Sequence, residues 1–288
     1  MTPPVELLII DAQNDFCDLP QAFCPVDGRN GQHLKPALPV PGAHADLERL
    51  AGFIQAVQAQ IGGITVTLDS HHRHDIAHPP YWRTGAGGPV APFTPITAAQ
   101  VRAGEFRPVV VAETPRTLAY LDAPEAANRY TLMVWPLHCQ LGSWGHALHA
   151  DVLAACNAWE DSHHAPVRVV NKGSFPWSEH YSALQAEVPD AADPSTAMNL
   201  SLLKRLDRAE TLLIAGQASS HCVKATVEHL VAHLPSGQPE RLLLLTDCMS
   251  PVSGFEPQAT AFLDKMRALG VRTLGHAQAR AALQRQAA

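Results

Sequence analysis

The chain has no C-x-x-C pair, no run of basic residues, no internal repeat and no low-complexity tract. Each absence excludes something. Its six cysteines (Cys17, Cys24, Cys139, Cys156, Cys222 and Cys248) are scattered, which argues against a disulfide scaffold and for a reducing compartment. A net charge of −6 without a basic cluster offers nothing to nucleic acid or to an anionic membrane surface. No apolar stretch approaches the roughly 20 residues of a membrane span. The opening Met1-Thr2-Pro3-Pro4-Val5-Glu6 lacks the basic and apolar regions of a secretory signal. A cytoplasmic protein with a small-molecule ligand, and with neither nucleic-acid nor membrane partners, is the expectation.

What the chain does have is apolar residues, at 46 %, against 17 % charged, enough over 288 residues for a sizeable core. Short apolar runs at Glu6–Ile10, Ile64–Leu68, Tyr130–Val134, Val167–Val170, Thr211–Ala215, Arg241–Thr246 and Val271–Leu274 read as strands. Between them, Ala43–Gln60, Leu141–Ala155, Ala197–Leu206, Lys224–Leu234 and Glu256–Leu269 read as helices. Continuous apolar strands alternating with helices predict a three-layer α/β/α fold, doubly wound on a mainly parallel sheet of about six strands. Two Pro- and Gly-rich stretches, Asp18–Pro41 and Pro79–Asn128, show little clean periodicity and read as long loop insertions into one domain spanning residues 1–288.

Ligands of such sheets bind beyond the carboxyl ends of the strands, and here those ends carry reactive residues. The first strand runs into Asp11, the second into Asp69-Ser70-His71, and the third into Trp135-Pro136-Leu137-His138. The fourth delivers Lys172, and the fifth leads through Gly216-Gln217-Ala218-Ser219-Ser220-His221 to Cys222 at the head of a helix. Any one of these has a plain structural reading, since an Asp after a strand is commonly a turn or cap residue. Five strand ends converging on one rim are harder to assign to turns alone.

Asp11, Lys172 and Cys222 make a coherent nucleophilic set. A helix N-terminus and a nearby cation favour a thiolate, and a carboxylate held by the lysine can take the thiol proton. The competing reading is a buried Asp–Lys bridge beside an inert cysteine. Backbone N–H groups of Ala218 and Cys222 are placed to form an oxyanion hole. Asp69 and His71 are spaced to point the same way, and with His138 they offer carboxylate and imidazole ligands suited to a divalent metal, Zn²⁺ first, with Fe²⁺ or Mn²⁺ as alternatives. His78 and His74 are further candidates in the same loop. With 16 histidines in the chain, no single one carries the argument.

In this order, Leu8-Ile9-Ile10-Asp11-Ala12-Gln13-Asn14-Asp15-Phe16-Cys17, Pro39-Val40-Pro41-Gly42, Asp69-Ser70-His71, Trp135-Pro136-Leu137-His138-Cys139, Lys172-Gly173, Tyr181-Ser182-Ala183 and Gly216–Val223 resemble the isochorismatase-like cysteine hydrolases, and among them the nicotinamidases. The resemblance implies an Asp11/Lys172/Cys222 triad and a metal on Asp69, His71 and His138. It also implies an aromatic clamp of Phe16 and Trp135, with Tyr181 beside the substrate, a cis peptide between Gln217 and Ala218, and a homo-oligomer. The implied reaction is hydrolysis of a small carboxamide, nicotinamide foremost, to the acid and ammonia. An amidase for a carbamoyl or ureido compound is the runner-up, and a non-catalytic metal-binding or interaction protein on the same scaffold is the reading from another class. The chain departs from the resemblance at Ser219-Ser220, where nicotinamidases usually carry Thr-Asp, and at Ser70, where they usually carry an aromatic residue. Isochorismatase itself typically lacks the nucleophilic cysteine, so Cys222 argues against that activity.

Overall fold

A computed structural model describes residues 5–127 and 129–286. Its ten strands are β1 (Val5–Ile10), β2 (Gly63–Asp69), β3 (Trp82–Thr84), β4 (Thr94–Ile96), β5 (Phe106–Pro108), β6 (Leu132–Val134), β7 (Arg168–Lys172), β8 (Thr211–Gly216), β9 (Leu242–Leu245) and β10 (Arg272–Leu274). The helices are α1 (Ala43–Val57), α2 (Ala98–Arg102), α3 (Thr114–Ala126), α4 (Ala150–His163), α5 (Leu200–Leu206), α6 (Cys222–His233), α7 (Glu256–Ala268) and α8 (His276–Gln286). Six strands form one parallel sheet in the order β10-β9-β8-β1-β2-β7.

Side chains of a strand alternate between its two faces, and the two cores of the molecule follow that alternation. Leu7 and Ile9 of β1, Leu213 and Ala215 of β8, and Leu243 and Leu245 of β9 enter one core, closed by α1, α4 and α8 through Leu47, Leu50, Trp159 and Leu283. Leu8 and Ile10, Leu212 and Ile214, and Leu242 and Leu244 enter the other, closed by α5, α6 and α7 through Leu203, Val227 and Phe262. Both faces of the sheet are therefore covered, which is why these strands read as unbroken apolar runs. The three-layer α/β/α expectation holds.

Three expectations need correction. The run Tyr130–Val134 is a strand only over β6, and it lies outside the main sheet, pairing antiparallel with β4. The helix expected over Leu141–Ala155 starts nine residues later, at Ala150. Residues 141–149 instead lie along the segment after β1: Ala147, Gly145 and His149 exchange backbone hydrogen bonds with Asn14, Asp15 and Ala12. Gly145 permits this approach, because a Cβ there would overlap the Asp15 carboxylate. Finally, the stretch from Pro79 is no long loop. It holds β3, β4, α2, β5 and α3 around its own apolar cluster of Ile76, Tyr81, Trp82, Val101, Tyr120, Leu121, Leu132 and Val134. Asn128, the expected end of that stretch, lies outside the described residues, as does the Met1-Thr2-Pro3-Pro4 part of the opening segment.

The sheet ends where the chemistry begins. At the end of β8, Gly216 adopts a left-handed φ of 121° and packs directly on the Ile10 backbone, so that a Cβ would overlap the Ile10 carbonyl oxygen. Gly216→Ala is expected to cost at least about 2 kcal/mol, from backbone strain plus the displacement of β1. Urea unfolding followed by far-UV circular dichroism measures this, and an unchanged midpoint would contradict it.

Candidate active site

Asp11 follows β1 in the left-handed region (φ 46°) and turns its carboxylate back against the sheet, where Thr67 Oγ1 donates to Oδ1 at 2.5 Å. Asp69 closes β2, and its register partner across β7 is Lys172. Three adjacent strands thus bring two carboxylates and one ammonium together. Lys172 Nζ lies 2.9 Å from Asp11 Oδ2, 2.9 Å from Asp69 Oδ1, 2.9 Å from the His180 carbonyl oxygen and 3.5 Å from Cys222 Sγ. All four side chains are buried.

Burial works against every charge here, and the partners decide who keeps one. It pulls the Lys172 ammonium down, but the Asp11 and Asp69 carboxylates outweigh it and hold the pKa well above the ordinary lysine value. Burial pushes Asp69 up, yet His71, Lys172 and the His138 hydrogen bond hold it well below the carboxylate range. Asp11 stays raised, because burial and Asp69 exceed the pull of Lys172. The Cys222 thiol is pushed well above the thiol range by burial, with Lys172 opposing and Asp11 and Asp69 adding. The resting state is a protonated thiol beside a carboxylate of enhanced basicity.

Cys222 is the first residue of α6, reached through a cis peptide bond between Gln217 and Ala218. Gln217 is fixed by Asp46 Oδ2, which accepts from its side-chain amide at 3.0 Å, and by the Ser250 N–H, which donates to its Oε1 at 3.2 Å. Among the described residues, the backbone N–H groups of Ala218 and Cys222 donate to no acceptor.

The other arm of Asp69 faces histidines. Its Oδ2 lies 3.0 Å from His71 Nε2 and 3.3 Å from His138 Nε2, and His78 Nε2 lies 3.1 Å from His138 Nδ1. Ring nitrogens of His71, His78 and His138 fall within 4.8 Å of one another, all buried. His78 is held neutral by burial and by the neighbouring His71 and His138, as a ligand must be. His71 Nδ1 bonds Asp75 Oδ2 at 2.9 Å, the outer partner that orients a liganding imidazole. Three converging imidazoles beside a carboxylate fit a divalent ion of the zinc type. His74 does not join them. It is half-exposed and pairs with Glu113 at 3.3 Å.

Phe16, Trp135 and Tyr181 line the chamber above Cys222, together with Leu38, Asp69, His138, Glu179, Ala218, His221 and Val252. Trp135 Nε1 donates to the Tyr181 hydroxyl at 3.1 Å, and the Phe16 ring lies 5.3 Å from that of His138. Of the residues expected at the site, all but His74 are therefore brought together, although Trp135 and His138 arrive from beyond β6 and not from the main sheet. Glu179, His221, Leu38 and Val252 were not anticipated. Glu179 is buried, its pKa raised by that burial, and its Oε2 accepts no hydrogen bond among the described residues. None of the four ends a strand. The only signal for Glu179 and His221 was adjacency to Tyr181 and Cys222.

Two outcomes follow from this geometry. Lys172→Met leaves Asp11 and Asp69 facing each other without their cation, at a cost of about 3–5 kcal/mol near neutral pH. Both folded-state pKa values then rise, so the deficit shrinks as pH falls through them toward about 4, where the unfolded carboxyls also protonate. Urea unfolding of metal-free protein between neutral pH and pH 4 reads this, and a pH-independent deficit would refute it. In the second, His78→Ala weakens Zn²⁺ binding at least about 10-fold in competition with a chelating dye, while His74→Ala leaves it within about 2-fold. Equal effects would place the metal elsewhere.

No protein-family model matches the chain, and no curated protein matches it in sequence. Solved structures do match. The nicotinamidase/pyrazinamidase of Acinetobacter baumanii superposes with a TM-score of 0.61 at 18 % identity, over 96 % of this chain and 98 % of that one. The pyrazinamidase of Pyrococcus horikoshii, in complex with zinc, gives 0.55 at 17 % identity, over 95 % and 99 %. An isochorismatase-like hydrolase of Alkaliphilus metalliredigens gives 0.52 at 15 % identity, over 96 % and 98 %. At such identities the likeness speaks for the backbone alone, and what it establishes is that this chain carries the isochorismatase-like, nicotinamidase-related fold.

Proposed function

We propose that the protein is one hydrolase domain acting as a cysteine amidase, which converts a small carboxamide, nicotinamide foremost, to the acid and ammonia. The observation that carries this reading is Cys222 Sγ at the head of α6, 3.5 Å from a lysine that also binds Asp11. The six cysteines are free, in keeping with a reducing cytoplasm. No helix among the described residues is long and apolar enough to cross a membrane.

In the proposed cycle Asp11, its pKa raised by burial, accepts the thiol proton, and Sγ attacks the amide carbonyl carbon. Lys172 stays charged throughout and offsets the negative charge that moves between Asp11 and Sγ. The Ala218 and Cys222 N–H groups, without other acceptors, receive the developing oxyanion, an arrangement typically worth about 3 kcal/mol per donor. The tetrahedral adduct collapses as Asp11 returns its proton to the leaving nitrogen, giving ammonia and a thioester. Water, deprotonated by Asp11, then adds to the thioester carbonyl, and the acid leaves as the thiol is restored. His71, His78, His138 and Asp69 would hold a divalent ion that supplies a Lewis-acid site for the substrate ring nitrogen or the hydrolytic water. Phe16, Trp135 and Tyr181 flank a planar ring next to the attacked carbonyl.

Cys222→Ala should release no ammonia from nicotinamide above background while retaining the circular dichroism spectrum and unfolding midpoint of the parent to within about 1 kcal/mol. Ammonia release by that variant would overturn the assignment. Release from ureido compounds but not from nicotinamide would move the substrate to the carbamoyl class.

A further inference from the structure

Of the side chains that line the chamber above Cys222, Glu179 alone has a buried polar atom without a hydrogen-bond partner among the described residues. Its polar neighbours in the wall have partners. Asp69 holds Lys172 with one oxygen and faces His71 and His138 with the other. His138 Nδ1 meets the Pro136 carbonyl oxygen at 2.8 Å, and His221 Nδ1 meets the Ser220 hydroxyl at 2.9 Å. Trp135 Nε1 donates to the Tyr181 hydroxyl.

Glu179 does not swing from a free loop. Its carbonyl oxygen accepts the Glu187 N–H at 2.8 Å and the Ser178 hydroxyl at 3.2 Å. The next residue is fixed as firmly. Lys172 Nζ donates to the His180 carbonyl oxygen at 2.9 Å, and His180 Nδ1 accepts the Gly173 N–H at 3.2 Å. Within the carboxyl group, Oε1 accepts the His180 N–H at 3.0 Å, which anchors one oxygen and leaves Oε2 over. Glu179 is only 2 % exposed, so Oε2 finds a donor inside the chamber or not at all. A buried acceptor without a donor is costly, and a ligand that brings the donor removes that cost. The charges that act on this carboxyl most are those of His71, Asp69 and Asp75, whereas those on Cys222 are Lys172, Asp11 and Asp69. Glu179 thus stands toward the histidine end of the chamber. With a carboxamide carbon at the sulfur, it is the ring that reaches it.

The chamber is about 30 Å³ as it stands, the share of a single water molecule. A ring that enters presses on its walls, and its substituents meet side chains instead of solvent. Resting on the amidase reading above, we propose that the substrate is a heteroaromatic carboxamide with an amino group on its ring, whose N–H is accepted by Glu179 Oε2. Glu179 takes no part in the bond exchange at Cys222. It selects the ring, because an analogue without the N–H leaves the oxygen buried and unpaired.

The test titrates Cys222→Ala protein, which cannot form the thioester, with nicotinamides that carry an amino group at each open ring carbon in turn. Each is paired with its methyl counterpart, similar in size but without an N–H. At one ring position or more, calorimetry should show the amino compound binding at least about 10-fold tighter than the methyl compound, the scale of a hydrogen bond to a charged group. Glu179→Gln keeps the size and, with Oε1 still on the His180 N–H, turns its NH₂ to where Oε2 stood. Added to the Cys222→Ala protein, it should bring each pair within about 2-fold, and Glu179→Met should do the same. Equal binding within every pair, a preference indifferent to both substitutions, or no binding of any probe would overturn the proposal. Ammonia release by the parent protein is read separately. Turnover of nicotinamide with no amino preference defeats the Glu179 assignment and leaves the amidase standing. Glu179-dependent binding of an amino compound without turnover of any amide does the reverse.

Discussion

The buried ammonium of Lys172 is the group on which the rest of the site depends. Two carboxylates in a dry interior repel each other and would each surrender a charge to a proton. A cation 2.9 Å from both lets Asp69 remain ionised and opposes the rise that burial imposes on Asp11, the base of the proposed cycle. The sheet makes this affordable. Asp69 and Lys172 are register partners at the ends of β2 and β7, and Asp11 directly follows the adjoining β1, so the main chain brings all three to one rim of the sheet. A lysine has three protons and Lys172 has four neighbours, of which the sulfur at 3.5 Å is the most distant. Negative charge arriving on that sulfur would therefore meet a donor already in place.

Asp69 extends the same network outward. One of its oxygens holds Lys172 and the other faces His71 and His138, so the thiol and the histidine cluster share a carboxylate. His71 sits between Asp69 and Asp75, and although burial opposes its charge, the two carboxylates raise its pKa well above the ordinary value. A divalent ion entering among His71, His78 and His138 must compete with that proton. On the proposed reading, the acid–base state of the cysteine and the occupancy of the histidines would then be coupled through one side chain.

These same residues were the legible part of the sequence. An apolar run of fixed length ending in Asp, Lys or Asp-x-His places the polar residue at a sheet rim by geometry alone, and β1, β2, β7 and β8 behaved so. β6 did not. Its apolar pattern was read correctly as a strand, but period-2 patterning is blind to which sheet a strand joins, and Trp135 and His138 reach the chamber from a two-stranded satellite. The start of α4 was misplaced because the residues before it are tied to Ala12, Asn14 and Asp15, more than a hundred positions away. α3 was hidden for a local reason. Thr117, Tyr120, Leu121 and Pro124 recur at helical spacing and are buried, but two prolines in the segment read as breakers.

Ser220 shows why the chemistry was more legible than the substrate. Where the resembling enzymes usually carry an Asp, its hydroxyl accepts the Val252 N–H at 3.0 Å and meets His221 Nδ1 at 2.9 Å. That hydroxyl therefore ties the loop before Cys222 to the segment after β9 and hydrogen-bonds the His221 ring in the chamber wall. The exchange leaves Asp11, Lys172 and Cys222 untouched, because they hang on the sheet. It alters a wall built from α6, from the turn after β6 and from the start of α7, whose spacing no single stretch of sequence encodes. Residues that break a bond must be held by the most rigid element available, whereas residues that choose the molecule can stand on the elements that vary. On the proposed reading those two demands divide in this chain at His221, one residue before the sulfur.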